Sequence, residues 1–215
     1  MTWVALTVAA YLLGSIPFGL LIARAHGVDL RQVGSGNIGA TNVSRALGKP
    51  WAVVCFVLDC LKGVVPMLVA GMLIDQTYDG ITVGVLWRWL AVGCAAIVGH
   101  VFPVYLKFKG GKGVATSLGV AVGLYPYMTQ PGLVILLIWL GAMLMWRYVS
   151  LASLLAAVSF PVVLAAMICT RPDWHFAVLW PLLIVASAIA VLVVVRHVEN
   201  IKRLLEGSES KAFQK

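Results

Sequence analysis

Three short polar segments interrupt an otherwise apolar chain, and each carries residue types suited to binding anions. The first runs Gly34-Ser-Gly-Asn-Ile-Gly-Ala-Thr-Asn-Val-Ser-Arg45. Its glycines, Gly36 among them, let backbone N–H groups approach an anion. Beside them stand Ser35, Asn37, Thr41, Asn42 and the planar, bidentate donor Arg45. The spacing Gly34-x-Gly36-x-x-Gly39 matches the dinucleotide fingerprint, but that fingerprint works only between a strand and a helix of a βαβ unit. Here the glycines follow an apolar run of membrane-helix length, so only their anion-binding content survives.

The second segment is His100-Val-Phe-Pro-Val-Tyr-Leu-Lys-Phe-Lys-Gly-Gly-Lys-Gly-Val-Ala-Thr116. It is not a Walker A loop, because Lys112 is followed by Gly113 rather than Ser or Thr. Gly110, Gly111 and Gly113 nevertheless bracket Lys112 at the start of an apolar run, where the open N–H groups and positive dipole end of a helix favour a phosphate. Lysines serving only as topology anchors explain Lys107, Lys109 and Lys112, but not three glycines around one of them. The third segment is His197-Val-Glu-Asn-Ile-Lys-Arg203, whose His197 and Asn200 share a helical face, with Lys202 and Arg203 available to anions or lipid headgroups. Ser150, at the start of another apolar run, either caps a helix or reaches a polar cavity.

Several chemistries are excluded by pattern. There is no His-x4-Asp, no HExxH and no Gly-x-Ser-x-Gly. Cys55, Cys60, Cys94 and Cys169 lie in apolar runs without a CxxC pair and read as small hydrophobes rather than as disulfides or zinc ligands. The four histidines, His26, His100, His175 and His197, are scattered. No metal and no cofactor is expected.

The elements that must position these segments are membrane helices. The 215 residues are 61% hydrophobic and 11% charged, about half the charge fraction of a soluble domain. The net charge of +8 does not indicate nucleic-acid binding, since no polar segment is long enough to fold into a basic domain. Apolar runs at about 3–23, 51–74, 87–106, 113–129, 132–146, 150–169 and 176–195 predict seven transmembrane helices, an all-α integral membrane protein forming one domain over 1–215. No positive charge precedes the first run, so it reads as an uncleaved helix. The uncharged stretch 113–146 is about 50 Å long as one helix, too long for a 30 Å hydrocarbon core, and Pro126 and Pro131 mark the turn that divides it.

Basic residues set the orientation. Arg24, Arg31, Arg45, Lys49, Lys107, Lys109, Lys112, Arg147, Arg196, Lys202, Arg203, Lys211 and Lys215 fall on the side of the C-terminus, thirteen of the sixteen Lys and Arg. The N-terminus is therefore expected outside and the C-terminus in the cytoplasm. Trp3, Trp51, Trp87, Trp89, Trp146 and Trp174 fall near span ends, as an interfacial belt requires. Gly119 and Gly123 form a small-xxx-small step for helix packing, and Asp59 and Lys62 form an i,i+3 ion pair inside the second span.

Taken together, GSGNIGATNVSRALGK, GHVFPVYLKFKGGKGVATSLG, RYVSLAS and HVENIKRLLEG resemble the cytoplasmic motifs of the acyl-phosphate-dependent glycerol-3-phosphate acyltransferases, over nearly the whole chain. The tail departs in having Val198 after His197, where that family often has Arg. The resemblance implies an enzyme of the bacterial inner membrane, with its active site facing the cytoplasm. It implies transfer of a fatty acyl group from acyl phosphate to the 1-hydroxyl of glycerol 3-phosphate, giving lysophosphatidic acid and phosphate. It further implies Ser35, Arg45, Lys112, His197 and Asn200 around glycerol 3-phosphate, and the Gly110–Gly113 loop with Thr116 around the acyl phosphate. Gly36, Asn37, Thr41, Asn42, His100, Lys107 and Ser150 complete the expected substrate-binding set. The expected partners are these two substrates and membrane lipids, with no nucleic acid and no obligate protein partner. The alternatives are an organophosphate transporter, which needs polar residues along a path between both faces, and a non-catalytic lipid-binding subunit.

Overall fold

A computed structural model describes residues 1–212; Lys215, counted above among the basic tail residues, lies outside the described residues. The elements in order are α1 (Thr2–Gly14), α2 (Phe18–Ala25), α3 (Ala40–Leu47), α4 (Lys49–Thr77), α5 (Val83–Val101), α6 (Val114–Gly123), α7 (Thr129–Trp146), α8 (Val149–Thr170), α9 (Phe176–Arg196) and α10 (Val198–Leu205), with short 3₁₀ turns at Leu30–Gln32 and Val104–Leu106. Among the described residues there is no strand. Among the described residues six segments are long and apolar enough to cross a membrane: Thr2–Ala25, Lys49–Thr77, Val83–Leu106, Thr129–Trp146, Val149–Thr170 and Phe176–Arg196. The protein is an all-helical integral membrane protein. Along α4 the outward residues Val53, Val57, Leu61, Val65, Leu68 and Met72 are all apolar and exposed, the surface that lipid requires.

Three sequence expectations are modified. The first span is not one helix. Pro17 lacks an N–H and breaks it at residues 15–17, where Ser15 Oγ donates back to Tyr11 O at 2.8 Å. The expected helix 113–129 ends at Gly123, so α6 has ten residues and a length of about 15 Å. Pro131 lies in the first turn of α7, where its missing N–H costs nothing, and the turn between the two helices spans only 124–128. Trp89 does not belong to an interfacial belt. Helix α5 begins at Val83, earlier than expected, and this carries Trp89 into its second turn, buried, with Nε1 donating to Met67 O at 2.9 Å.

Contacts divide the chain into two compact units, Met1–Gly80 with Arg88–Leu124, and Ile81–Trp87 with the chain from Tyr125 on. In the first, α4 is the central post, packed by α1, α2, α3 and most extensively by α6. Its contact with α6 is backbone to backbone. A Cβ on Gly119 collides with the carbonyl of Cys60, one on Gly63 with that of Thr116, and one on Gly123 with the Met67 side chain. Without a hydrophobic drive between helices in lipid, such close approach is how dispersion contacts accumulate. The expected packing role of Gly119 and Gly123 is therefore realised. In the second unit α8 lies between α7 and α9 and touches α10.

Candidate active site

The first polar segment is a loop built around one side chain. Asn42 is buried on the inner face of α3, and its Nδ2 donates to Leu30 O at 3.0 Å and to Val33 O at 2.9 Å. Its Oδ1 accepts from the Ser35 N–H at 3.2 Å. Both amide protons are thus spent on the loop, so Asn42 supplies the loop's shape. Asn37 is likewise local, accepting from the Gly39 N–H at 2.9 Å. What the loop presents outward is Ser35, Thr41 and Arg45, all exposed. Gly34, at φ +56°, is held beside Arg45: a Cβ there lies 3.1 Å from Arg45 Cδ and 2.6 Å from Asn42 Oδ1, so a side chain displaces one or the other.

The second segment folds back on itself. Gly110 N–H donates to Val101 O at 3.2 Å and Gly111 N–H to His100 O at 3.0 Å, which closes the loop at its neck. These two N–H groups are therefore not the anion donors that the glycine spacing suggests. Their glycine identity has another cause. A Cβ on Gly111 runs into the His100 ring, and one on Gly110 into the His100 carbonyl and Pro103. The N–H groups left open lie further on. Gly113, at φ +86°, turns the chain into α6 with no side-chain cap, and Ser117 is the first residue to bond back, to Gly113 O at 2.8 Å. This leaves the N–H groups of Val114, Ala115 and Thr116 without an intrahelical partner, next to the half-buried Lys112. The Thr116 hydroxyl, expected at the phosphate, is fully buried and donates to Asp59 O at 3.0 Å. It joins α6 to α4 instead. Lys107, Phe108 and Lys109 are exposed at the loop tip.

Both segments rest on a shared support. Leu106 of the second loop packs on a cluster formed by Leu20, Ala23, Leu30, Ile38, Val43 and Cys55, which includes the underside of the first. One turn further along α4, Asp59 pairs with Lys62 at 2.8 Å and lies 3.6 Å from His100 Nδ1, with all three side chains at most 5% exposed. Cys55 Sγ approaches Asp59 at 3.7 Å, and Lys62 Nζ also donates to Ile16 O at 3.0 Å, a carbonyl exposed by the Pro17 break. The Asp59–Lys62 pair that the spacing indicates is present. No spacing in the sequence signals the link to His100, which lies far along the chain from Asp59. His100, expected at the substrate, lies beneath the loop that carries Lys112.

The second unit holds Ser150, His197 and Asn200, all buried. His197 occupies the break between α9 and α10, and its Nδ1 lies 2.8 Å from Val193 O; a carbonyl there requires Nδ1 to be the protonated nitrogen. Ser150 Oγ and Asn200 Nδ2 each donate to Glu209 Oε1 at 2.7 Å, and Arg203 Nε donates to Glu209 Oε2 at 2.7 Å. Burial favours the neutral form of Glu209, but the donors Ser150, Asn200 and Arg203 outweigh it and hold the carboxyl below its ordinary value. No periodicity or motif in the sequence marks Glu209.

The helices and the two loops define an integral membrane protein whose polar segments carry donors of the kind that suit anions. The family profile described as glycerol-3-phosphate acyltransferase matches residues 4–207. A glycerol-3-phosphate acyltransferase of Geobacter sulfurreducens is 47% identical, covering 96% of this chain and 95% of its own. One of Aquifex aeolicus is 46% identical over 96% and 97%. A crystal structure of PlsY, an integral membrane glycerol 3-phosphate acyltransferase in its glycerol 3-phosphate form, superposes with a TM-score of 0.83 at 44% identity, covering 98% of this chain and 96% of that one. A lysophosphatidic acid form of PlsY gives 0.80 at 42% identity, over 98% and 95%. The chain belongs to the glycerol-3-phosphate acyltransferase family.

Proposed function

We propose that the protein transfers a fatty acyl group from acyl phosphate to the 1-hydroxyl of sn-glycerol 3-phosphate, releasing lysophosphatidic acid and inorganic phosphate, the first acylation of bacterial phospholipid synthesis. The observation that carries this reading lies in the first unit. Two loops that share one apolar support expose Ser35 and Arg45 on one and the α6 N–H groups beside Lys112 on the other. Donors of this kind suit phosphate groups, and both substrates carry one.

In the proposed reaction the glycerol hydroxyl oxygen attacks the acyl carbonyl carbon. The bond from that carbon to the phosphate oxygen breaks, and phosphate leaves with its electron pair. Acyl phosphate is already activated, so orientation and charge stabilisation supply much of the barrier reduction. The loop that enters α6 and the first turn of that helix hold the acyl-phosphate phosphate and stabilise the charge that builds on it as it leaves. Arg45, Ser35 and Lys112 hold glycerol 3-phosphate, with His197 and Asn200 assigned to the same substrate by the family resemblance. The hydroxyl proton passes to a substrate phosphate, whose second pKa of about 6 suits neutral pH. Changing His100 or His197 to Gln then leaves measurable turnover; complete loss with substrate binding intact makes that histidine the base.

The whole chain acts as one acyltransferase domain in the cytoplasmic membrane, with seven passes, the N-terminus outside and the active site facing the cytoplasm. The fourth pass is the short α6 with the turn that follows it. Reporter tags at the two termini decide this point, since an odd number of passes puts them on opposite sides and the six long helices alone put them on the same side.

The reading is tested by supplying the purified protein with glycerol 3-phosphate and either an acyl phosphate or an acyl thioester. Lysophosphatidic acid is expected from the acyl phosphate alone. Product from the thioester only, or no product with any chain length, refutes it.

A further inference from the structure

The end of α2 is shaped by a backbone motif. The Gly27 N–H donates to Arg24 O at 3.0 Å and the Val28 N–H to Ala23 O at 2.9 Å, with Gly27 at φ +72°. These two bonds close a Schellman turn, in which a glycine takes the left-handed conformation and the chain doubles back against the helix it has just left. Asp29 then opens the 3₁₀ turn Leu30–Gln32. Its Oδ1 accepts from the Arg31 N–H at 3.1 Å and its Oδ2 from Gln32 Nε2 at 2.9 Å. Leu30 is fully buried in the cluster beneath the first polar loop, and its neighbour Arg31 is left exposed.

Between the helix and the returning chain lies a cavity of about 360 Å³, lined by Arg24 from α2 and by Arg31 from the 3₁₀ turn. The buried Leu20 and the half-buried Val28 give it an apolar wall, and Asp29 is the one carboxylate in the lining. Both Asp29 oxygens are already engaged by the turn. Among the described residues no ion pair or hydrogen bond engages either guanidinium. Two positive groups against one negative leave the lining with a net charge of +1. A topology signal requires only that arginines lie near a span end. Here the backbone folds two of them onto one cavity.

The cavity stands at the end of the membrane-crossing segment Thr2–Ala25, which puts it at the level of the lipid headgroups. Basic pockets beside membrane helices at this depth suit anionic headgroups, and the guanidinium fork matches phosphate oxygens. A net charge of +1 suits a singly charged phosphodiester, and Leu21, exposed on α2, offers apolar surface to an acyl chain. We infer that Arg24 and Arg31 form a binding site for the phosphate of an anionic membrane phospholipid. None of the residues assigned above to acyl transfer lines this cavity, so the site stands whether or not that reading does.

The test is titration of the full-length protein in a neutral detergent with fluorescently labelled phosphatidylglycerol, and with phosphatidylcholine carrying the same chains. Wild type should bind phosphatidylglycerol about tenfold more tightly than phosphatidylcholine. Arg24→Gln combined with Arg31→Gln should lower phosphatidylglycerol binding to the phosphatidylcholine level, with the unfolding temperature unchanged. Asp29→Asn removes the opposing charge while keeping an oxygen for the Arg31 N–H, and should tighten phosphatidylglycerol binding about threefold. It decides the matter if the double arginine variant does not fold: a gain supports the site and no gain overturns it. Arg88→Gln combined with Lys109→Gln removes two exposed charges outside the cavity and should leave lipid binding unchanged. Inorganic phosphate should bind wild type and the double arginine variant equally. Equal binding of the two lipids by wild type overturns the inference, as does an equal loss in the Arg88 and Lys109 variant. A loss of inorganic-phosphate binding that matches the lipid loss assigns the cavity to free phosphate and overturns the lipid. These readouts need no turnover, so a failed acyl-transfer assay leaves them standing, and their failure leaves the acyl-transfer reading untouched.

Discussion

Two buried carboxylates, Asp59 in the first unit and Glu209 in the second, are held in opposite ways. Asp59 lies mid-helix in a membrane-crossing segment, and its countercharge Lys62 is fixed three residues away on the same helix, with His100 on the other side. Neither member of the pair leaves without unwinding α4. Glu209 lies in an irregular strap, and its partners come from elements it reaches only by folding back. In the apolar span a charge survives by a permanent local partner, which makes it a fixture beneath the Lys112 loop. Glu209 is held instead by three donor side chains, Ser150 of α8 and Asn200 and Arg203 of α10, so its anchorage depends on the fold of the segment that follows α10 rather than on one helix.

The largest expected effect breaks the fixture. Asp59→Asn leaves Lys62 buried without its countercharge and should cost about 3–5 kcal/mol of stability, read as a lower unfolding temperature in micelles. Removing both charges, as Asp59→Leu with Lys62→Met, should recover most of that loss, since a buried pair contributes little over a well-packed apolar one. A single variant that melts like wild type means the pair does not hold α4 in place. Next in size is Arg45→Lys, where a point charge replaces a planar fork. The expected loss in kcat/KM for glycerol 3-phosphate is about 100-fold, roughly 2.7 kcal/mol at the barrier, with unfolding temperature unchanged. Wild-type kinetics in that variant remove Arg45 from the site.

A smaller effect probes the support of the first unit. Gly119→Ala sets a methyl against the Cys60 carbonyl, and because the obstacle is backbone the two helices must separate. About 1–3 kcal/mol of destabilisation is expected, again by thermal unfolding. The smallest effect belongs to the strap. Because Glu209 titrates below its ordinary value when docked, docking gains nothing from further deprotonation at neutral pH. It weakens only as pH falls through the ordinary carboxylate range toward that lower value. Proteolysis after Lys211 should therefore be slow and constant from pH 8 to 6 and rise at lower pH, measured with an acid-tolerant protease. A cleavage rate that stays constant as pH falls below 6 contradicts a docked Glu209 carboxylate.

Much of this was legible from residue spacing because its causes are local. Hydropathy located the long helices, and the Asp59–Lys62 spacing put both charges on one face of α4. The small-residue step at Gly119 and Gly123 indicated a close helix contact, and glycines near Lys112 marked the entry to α6. What escaped was non-local. Gly110 and Gly111 look like phosphate donors until His100 and Val101 are seen to take their N–H groups. Asn42 and Thr116 read as ligand contacts, yet each is spent on backbone carbonyls distant in sequence. Hydropathy runs unbroken across Pro17 and so does not signal the break there, which exposes the carbonyl that Lys62 caps. The Arg203–Glu209 contact depends on a chain reversal at Gly207 that no periodicity signals.

The central claim is that the first unit's loops act by binding and stabilising substrate phosphate, with Lys112 and the first turn of α6 as the charge that meets it. The most direct measurement compares phosphate release from acyl phosphate and glycerol 3-phosphate by wild type and by Lys112→Gln, with unfolding temperature recorded for both. Wild type should release phosphate and lysophosphatidic acid in equal amounts, and Lys112→Gln should do so about 100-fold or more slowly while melting normally. Equal rates in the two proteins contradict the account.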